Sequence, residues 1–255
     1  MEKMVDDNTD ENFSRHANQI AVSGFGIASQ RKLQASRVLI LGSGPVALAL
    51  SGSLLHSGIG TIKIIDSNLA KLNSLRYHLD DLNSTKKDGD TVCLCQISYQ
   101  LVESMAVCDL ESLVHSSDLV VEVLTDWQEK LSLSDVCMSV RRPLLHCGGS
   151  GMRFQLFAMV PGQSCCLRCL LASLGLEDAI GGQSEQAILT PLAGLIGNAL
   201  SLAAVKMLSG FGASQSNEII KIDGLSGELE VLRGFDFVRD CPDCGSLGGS
   251  KKNKN

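Results

Sequence analysis

"VLILGSGPVALALSGSLLHSGIGTIKIID", residues 38–66, decides how the rest of the chain is read. A run of apolar and β-branched residues enters "GSGPVA". A helical stretch follows, and a second apolar run ends on Asp66. Strand, helix and strand in this order form one unit of a parallel sheet. Gly42, Gly44 and Ala47 satisfy the relaxed pattern G-x-G-x-x-G/A. In that pattern the first glycine permits a tight turn and the second lets a phosphate approach the backbone. The third position must be small so that helix and strand can pack. Asp66 closes the next strand, where a carboxylate grips a ribose hydroxyl. The plain alternative is an ordinary turn of the fold. Pro45 sharpens the choice, because it lacks an N–H and removes one donor from a phosphate cradle. At a first helical position it costs the helix little. The fold therefore tolerates this residue better than a phosphate contact does.

Outward from this unit the pattern repeats. "VCLCQI", "DLVVEV" and "PLLHCG" read as further buried strands, with helices around 109–116 and 127–140. "RFQLFAMV", "NEIIKIDG" and "GELEVLRGF" alternate, with a tight turn at "DGLSGE". They read as an antiparallel extension of the sheet. The fold class is α/β: a Rossmann-like, mostly parallel sheet with an antiparallel C-terminal extension. The 255 residues suit one large domain. Residues 1–14 read as disordered, 15–246 as a single nucleotide-binding domain with an N-terminal arm at 15–36, and 247–255 as a short basic tail.

Net charge is −6, which leaves no electrostatic footprint for nucleic acid. The acidic, polar start "MEKMVDDNTDENF" is not a signal peptide. The apolar run at 187–205 contains Thr, Pro, Asn and Ser, and reads as a buried helix rather than a membrane span. Ten cysteines without a secretory signal suggest a reducing, cytoplasmic setting.

In such a setting, paired cysteines point to metal or chemistry. Cys166-x-x-Cys169 and Cys241-x-x-Cys244 each have the spacing that turns two sulfurs toward one point. Together they predict a tetrahedral structural zinc site that ties the chain from 161 to 246. Cys165 is an alternative to Cys166 but lacks the two-residue spacing. Cys93, Cys95, Cys108 and Cys137 sit in apolar stretches and read as core. Cys147, at a strand end, is the remaining thiol of interest. None of the five histidines has metal-ligand spacing.

The glycine loop, "CLRC", "CPDC", "TPLAGLIG", "SGIGTIKIID" and "RHANQI" together resemble the ThiF/MoeB/HesA family, relatives of ubiquitin-activating enzymes, over about residues 14–246. The resemblance implies binding of ATP and Mg²⁺. It also implies adenylation of the C-terminal glycine of a ubiquitin-like or sulfur-carrier protein, and transfer of the acyl group to a sulfur donor or, in some members, a cysteine. It further implies a structural zinc and a homodimer or heterodimer. Gly42, Gly44 and Asp66 match the family's nucleotide positions, and Asp126 in "LTDW" matches its Mg²⁺-associated Asp. Arg76 in "KLNSLRYHL" is the candidate phosphate cation.

The departures share one character. Pro45 and Ala47 replace two glycines, Asn18 stands at an arm Arg, and Trp127 follows Asp126 where Asn is usual. Asn73 and Arg76 align one residue early, with Tyr77 at the Arg position. The segment that should carry a phosphate-binding Lys is shortened. Lys86 and Lys87 fall in "NSTKKDGD", which reads as a loop. These changes thin the cations and amide donors facing a triphosphate. No cysteine lies between Cys169 and Cys241, so transfer to an internal thiol there is not expected. Three readings result: an adenylating enzyme; a weak or inactive member acting as a binding partner; and a nicotinamide-dependent oxidoreductase, which the cysteine pairs and "TPLAGLIG" oppose.

Overall fold

The structure, a computed structural model, describes residues 13–87, 90–105, 108–175, 187–213, 216–235, 237–238 and 240–245. The expectations for residues 1–12 and 246–255 lie outside this set. Two helices, α1 (Ala17–Ile20) and α2 (Gly26–Ala35), precede strand β1 (Arg37–Leu41). The βαβ unit then follows as α3 (Pro45–His56) and β2 (Thr61–Asp66). Next come α4 (Leu69–Asn83), β3 (Ser84–Lys87), β4 (Asp90–Cys93), β5 (Gln96–Leu101), α5 (Leu110–His115) and β6 (Leu119–Glu122). The chain continues through α6 (Trp127–Val140), β7 (Leu144–Ser150), β8 (Arg153–Met159), α7 (Leu167–Leu174), α8 (Thr190–Ser209), β9 (Glu218–Asp223) and β10 (Glu228–Arg233).

Eight strands form one sheet in the order β10-β9-β8-β7-β6-β1-β2-β5. β5, β2, β1, β6 and β7 pair in parallel. β8, β9 and β10 add the antiparallel extension. From β1 the chain proceeds outward through β2 and β5, then crosses to β6 on the other side of β1. The reversal opens a crevice at the carboxyl ends of β1 and β6, where open α/β sheets bind ligands.

Both faces of the sheet are covered. Val38 and Ile40 of β1 pack with Leu50, Leu54, Ile196 and Leu200 of α3 and α8. Leu39 and Leu41 pack with Leu131, Cys137 and Leu167 of α6 and α7. Four consecutive buried side chains are what a central parallel strand requires, and each contributes about 2 kcal/mol of burial. The apolar segment near 187–205 is α8, a 20-residue helix apolar enough to cross a membrane by composition; half of its most apolar window is buried here. It crosses α3 closely at Gly197, where a Cβ would stand 2.7 Å from the Val46 carbonyl oxygen.

One expectation needs correction. "NSTKKDGD" is not a plain loop: Lys86 and Lys87 lie on β3, which pairs antiparallel with β4. "VCLCQI" is correspondingly not one strand. Asn83 divides it, donating from Nδ2 to the Cys95 carbonyl and accepting at Oδ1 from the Leu94 and Cys95 amides. The main-sheet strand therefore begins only at Gln96.

Candidate nucleotide site and metal centre

The glycine loop shows why its two glycines differ. Gly42 has φ 101°, and a Cβ there would stand 2.9 Å from the Val123 side chain and 3.0 Å from its carbonyl oxygen. The fold itself demands glycine at 42. Gly44 caps α3 with ordinary dihedrals, and a Cβ there would meet nothing within 4 Å. Its lack of a side chain keeps the backbone open toward solvent. Pro45 starts α3, as its fixed φ favours, and no side chain caps that first turn. Ala47 is fully buried in the core, as its place in the pattern predicts.

Asp66 ends β2 with little exposure. Ser43 Oγ donates to its Oδ2 at 2.5 Å, and the Asn68 amide donates to its Oδ1 at 2.7 Å. A carboxylate has further lone pairs, so two internal donors fix its orientation without exhausting it. Asp126 caps α6, with Oδ1 accepting from the Glu129 amide at 3.0 Å. Glu129, in the first turn of α6, was not singled out by the sequence. Burial, then the charges of Asp126 and Asp66, raise its carboxyl above the usual range, while a hydrogen bond from the Met105 backbone opposes this. Asp66 thus stands at the end of β2 and Asp126 at the start of α6, after the turn that follows β6. Carboxylate oxygens are the ligand type a hard divalent cation such as Mg²⁺ takes.

Arg76 is placed elsewhere. Its guanidinium pairs with Asp80 at 3.3 Å and lies 5.6 Å from the Tyr99 ring centre, while the Tyr99 hydroxyl also donates to Asp80. Tyr99 is paired with Ile64, two residues before Asp66 on β2. Arg76 thus sits over the middle of the edge strand. Tyr77 and Asn73 are exposed on the same helix.

The four predicted zinc ligands do converge. The sulfurs of Cys166, Cys169, Cys241 and Cys244 all lie within 4.8 Å of one another. Cys166 caps α7 and Cys169 sits in its first turn. The Cys166–Cys241 and Cys169–Cys244 sulfur distances are 3.6 and 3.4 Å. A tetrahedron with Zn–S of about 2.3 Å has edges of just this order. A neighbouring thiol and burial push Cys166 well up, and burial pushes Cys169 up to about 11. A bound cation would offset both effects. The residues present therefore fit zinc. Arg168, between the first two cysteines, bridges Asp135 of α6 and Asp243 of the second pair, at 2.5 and 3.0 Å. Cys165 is buried, pushed up to about 12, and is not one of the four. Cys147 is core, with its thiol also pushed up to about 12 by burial. Cys95 and Cys137 are likewise buried.

A second feature went unread in the sequence. Glu122, Lys130 and His146 are all essentially unexposed, and Glu122 contacts both of the others. Lys130 Nζ meets Glu122 Oε2 at 3.1 Å and donates to the Cys147 carbonyl, while His146 Nδ1 meets Glu122 Oε1. The acid inside the apolar run "LVVEV" was the available signal.

The chain matches the ThiF family over residues 16–243. It belongs to that family. The molybdopterin-synthase adenylyltransferase of Escherichia coli (strain K12) is 27% identical over 238 residues, covering 88% of this chain and 94% of that protein. The adenylyltransferase and sulfurtransferase MOCS3-1 of Zea mays is 25% identical over 240 residues, covering 91% of this chain. The chain spans about half the length of the Zea mays relatives, 51% and 50%. Among solved structures, E. coli MccB with ATP superposes with TM-score 0.71 at 17% identity, over 94% of this chain and 79% of that one. MccB with MccA-N7isoASN gives 0.70 at 16%, covering 93% and 75%. These neighbours share the Rossmann-like fold.

Proposed function

We propose that this ThiF-family chain adenylates the C-terminal carboxylate of a ubiquitin-like or sulfur-carrier protein with ATP. The observation that carries this is the Gly42–Pro45 loop at the switch point of the sheet, with Asp66 held by Ser43 beside it and Asp126 capping α6 after β6. The reading gains support from relatives named adenylyltransferases. It also gains from the E. coli MccB structures, one of them with ATP and another with MccA.

In the reaction a carboxylate oxygen attacks the α-phosphorus of ATP. The bond from that phosphorus to the bridging oxygen breaks, and pyrophosphate leaves. Asp66 would hold the ribose, and the open backbone at Gly44 would admit phosphate. Asp126 would hold Mg²⁺, which supplies charge neutralisation at the phosphates. Arg76 would serve a phosphate only after releasing Asp80. The cysteine cluster would hold a structural zinc, and the protein would work in the cytoplasm as a homodimer or heterodimer.

A second reading keeps the fold and the binding but not the chemistry: an inactive partner of an activating enzyme. Pro45 and the engagement of Arg76 by Asp80 favour it. Carrier-dependent ATP–pyrophosphate exchange separates the two, using small proteins that end in Gly-Gly. The enzyme reading expects exchange that falls at least a hundredfold in Asp126→Ala. Nucleotide binding without exchange would favour the partner, and absence of both would end the enzyme reading.

A further inference from the structure

The buried charges of Glu122, Lys130 and His146 lie directly behind the proposed nucleotide site, on three elements. Glu122 ends β6, Lys130 is in the first turns of α6, and His146 is on β7. The Glu122 carboxylate, though burial opposes its charge, is held below the usual range by Lys130 and His146. An ionised carboxylate only accepts hydrogen bonds, so His146 Nδ1 must carry the proton that faces it. Glu122 Oε2 accepts a further bond, from the Leu124 amide at 3.0 Å. Lys130 donates to Glu122 and to the Cys147 carbonyl of β7. The short turn from Val123 to Asp126 is thereby tied at both ends, to β6 through Leu124 and to β7 through Lys130. Its outer surface is the one that forbids a side chain at Gly42. Its last residue is Asp126, and the next is Trp127. The Trp127 ring lies 5.4 Å from the His146 ring centre and 5.4 Å from Lys130 Nζ.

As a source of stability the arrangement is poor. Three polar groups are desolvated, and His146 Nε2 has no hydrogen-bond partner among the described residues. Apolar side chains of the same size would fill this place at no such cost. What apolar side chains could not do is fix the Leu124 amide and the first turn of α6 at once.

We propose that Glu122, Lys130 and His146 are positioning residues, which set the Val123–Asp126 turn and so fix Asp126 at the start of α6 and seat Trp127 against the cluster. The inference deepens the nucleotide reading and rests on it for its consequence, but Trp127 lets it be tested apart. Trp127 is the single tryptophan of the chain. The test is the full-length, zinc-loaded protein carrying Glu122→Gln with Lys130→Met, which removes both charges together at nearly unchanged volume. Acrylamide quenching of Trp127 and affinity for Mg·ATP are measured beside the thermal midpoint. The expected result is a folded protein whose Trp127 is quenched at least twofold more readily and whose Mg·ATP affinity is about tenfold weaker. A folded variant with wild-type quenching overturns the proposal, since the turn would then hold its place without the charges. Failure of this charge-neutral pair to fold overturns it as well, by making the cluster a determinant of folding. If the wild type binds no nucleotide, the nucleotide reading falls, and Trp127 quenching alone decides the positioning.

Discussion

The two ends of this molecule that could hold a ligand are built to different standards. At the C-terminal end four sulfurs face one point, and Arg168 pins both cysteine pairs to α6 through Asp135 and Asp243. At the glycine loop Asp66 is held by Ser43, but one amide donor is lost to Pro45 and Arg76 is turned to Asp80. A metal site is complete or useless, because its energy comes from a closed shell of ligands. A nucleotide site is graded: each donor adds its own increment, so groups can be thinned while the pocket keeps its shape. The contrast predicts which substitutions unfold the chain and which only loosen a ligand.

The largest effect is expected at the cysteine cluster. Cys241→Ser should lower zinc from about one per chain to none, and the thermal midpoint by on the order of 10 °C. Metal analysis and a thermal scan check both. A fully folded wild type without zinc would erase the contrast from that side.

The two glycines offer a finer comparison within one loop. Gly42→Ala must strain φ 101° and push against Val123, and should cost about 1–3 kcal/mol of stability in urea titration. Gly44→Ala meets open space and should change stability by less than about 1 kcal/mol, while weakening Mg·ATP binding. Equal losses of stability at both would show that Gly44, too, serves only the fold.

The smallest effect is with pH. Burial holds the His146 imidazole below its ordinary value of 6.5, against the opposing pull of Glu122 and with the help of Lys130. Below 6.5 the unfolded chain takes up a proton that the folded chain refuses, so stability falls as the pH falls from 6.5 toward the folded value. Glu122, whose folded value is depressed, adds a loss of the same sign at lower pH. Urea titrations between pH 7 and pH 5 should show the decline, and His146→Gln should make it shallower.

Much of this was legible in the sequence for identifiable reasons. The strands announced themselves because a central parallel strand is apolar at every position, as in Val38–Leu41. The four converging cysteines were legible because two-residue spacing is a local geometric requirement. The β3–β4 hairpin was missed because its cause is one side chain, Asn83, bonding eleven and twelve residues away. Glu129 and the Glu122–Lys130–His146 cluster were missed because their meaning lies in contacts between elements. Arg76 aligns one residue early with the family position, and its contact with Tyr99, which pairs with Ile64, sets it over the middle of the edge strand.

The most direct measurement of the central claim is formation of the product. A small protein ending in Gly-Gly is incubated with the zinc-loaded chain and Mg·ATP, and its intact mass is read with pyrophosphatase present. Adenylation predicts the gain of one AMP on the carrier, lost with Asp126→Ala. Saturating binding of ATP and of the carrier with no adduct would contradict it, leaving a nucleotide pocket that has kept its shape without its chemistry.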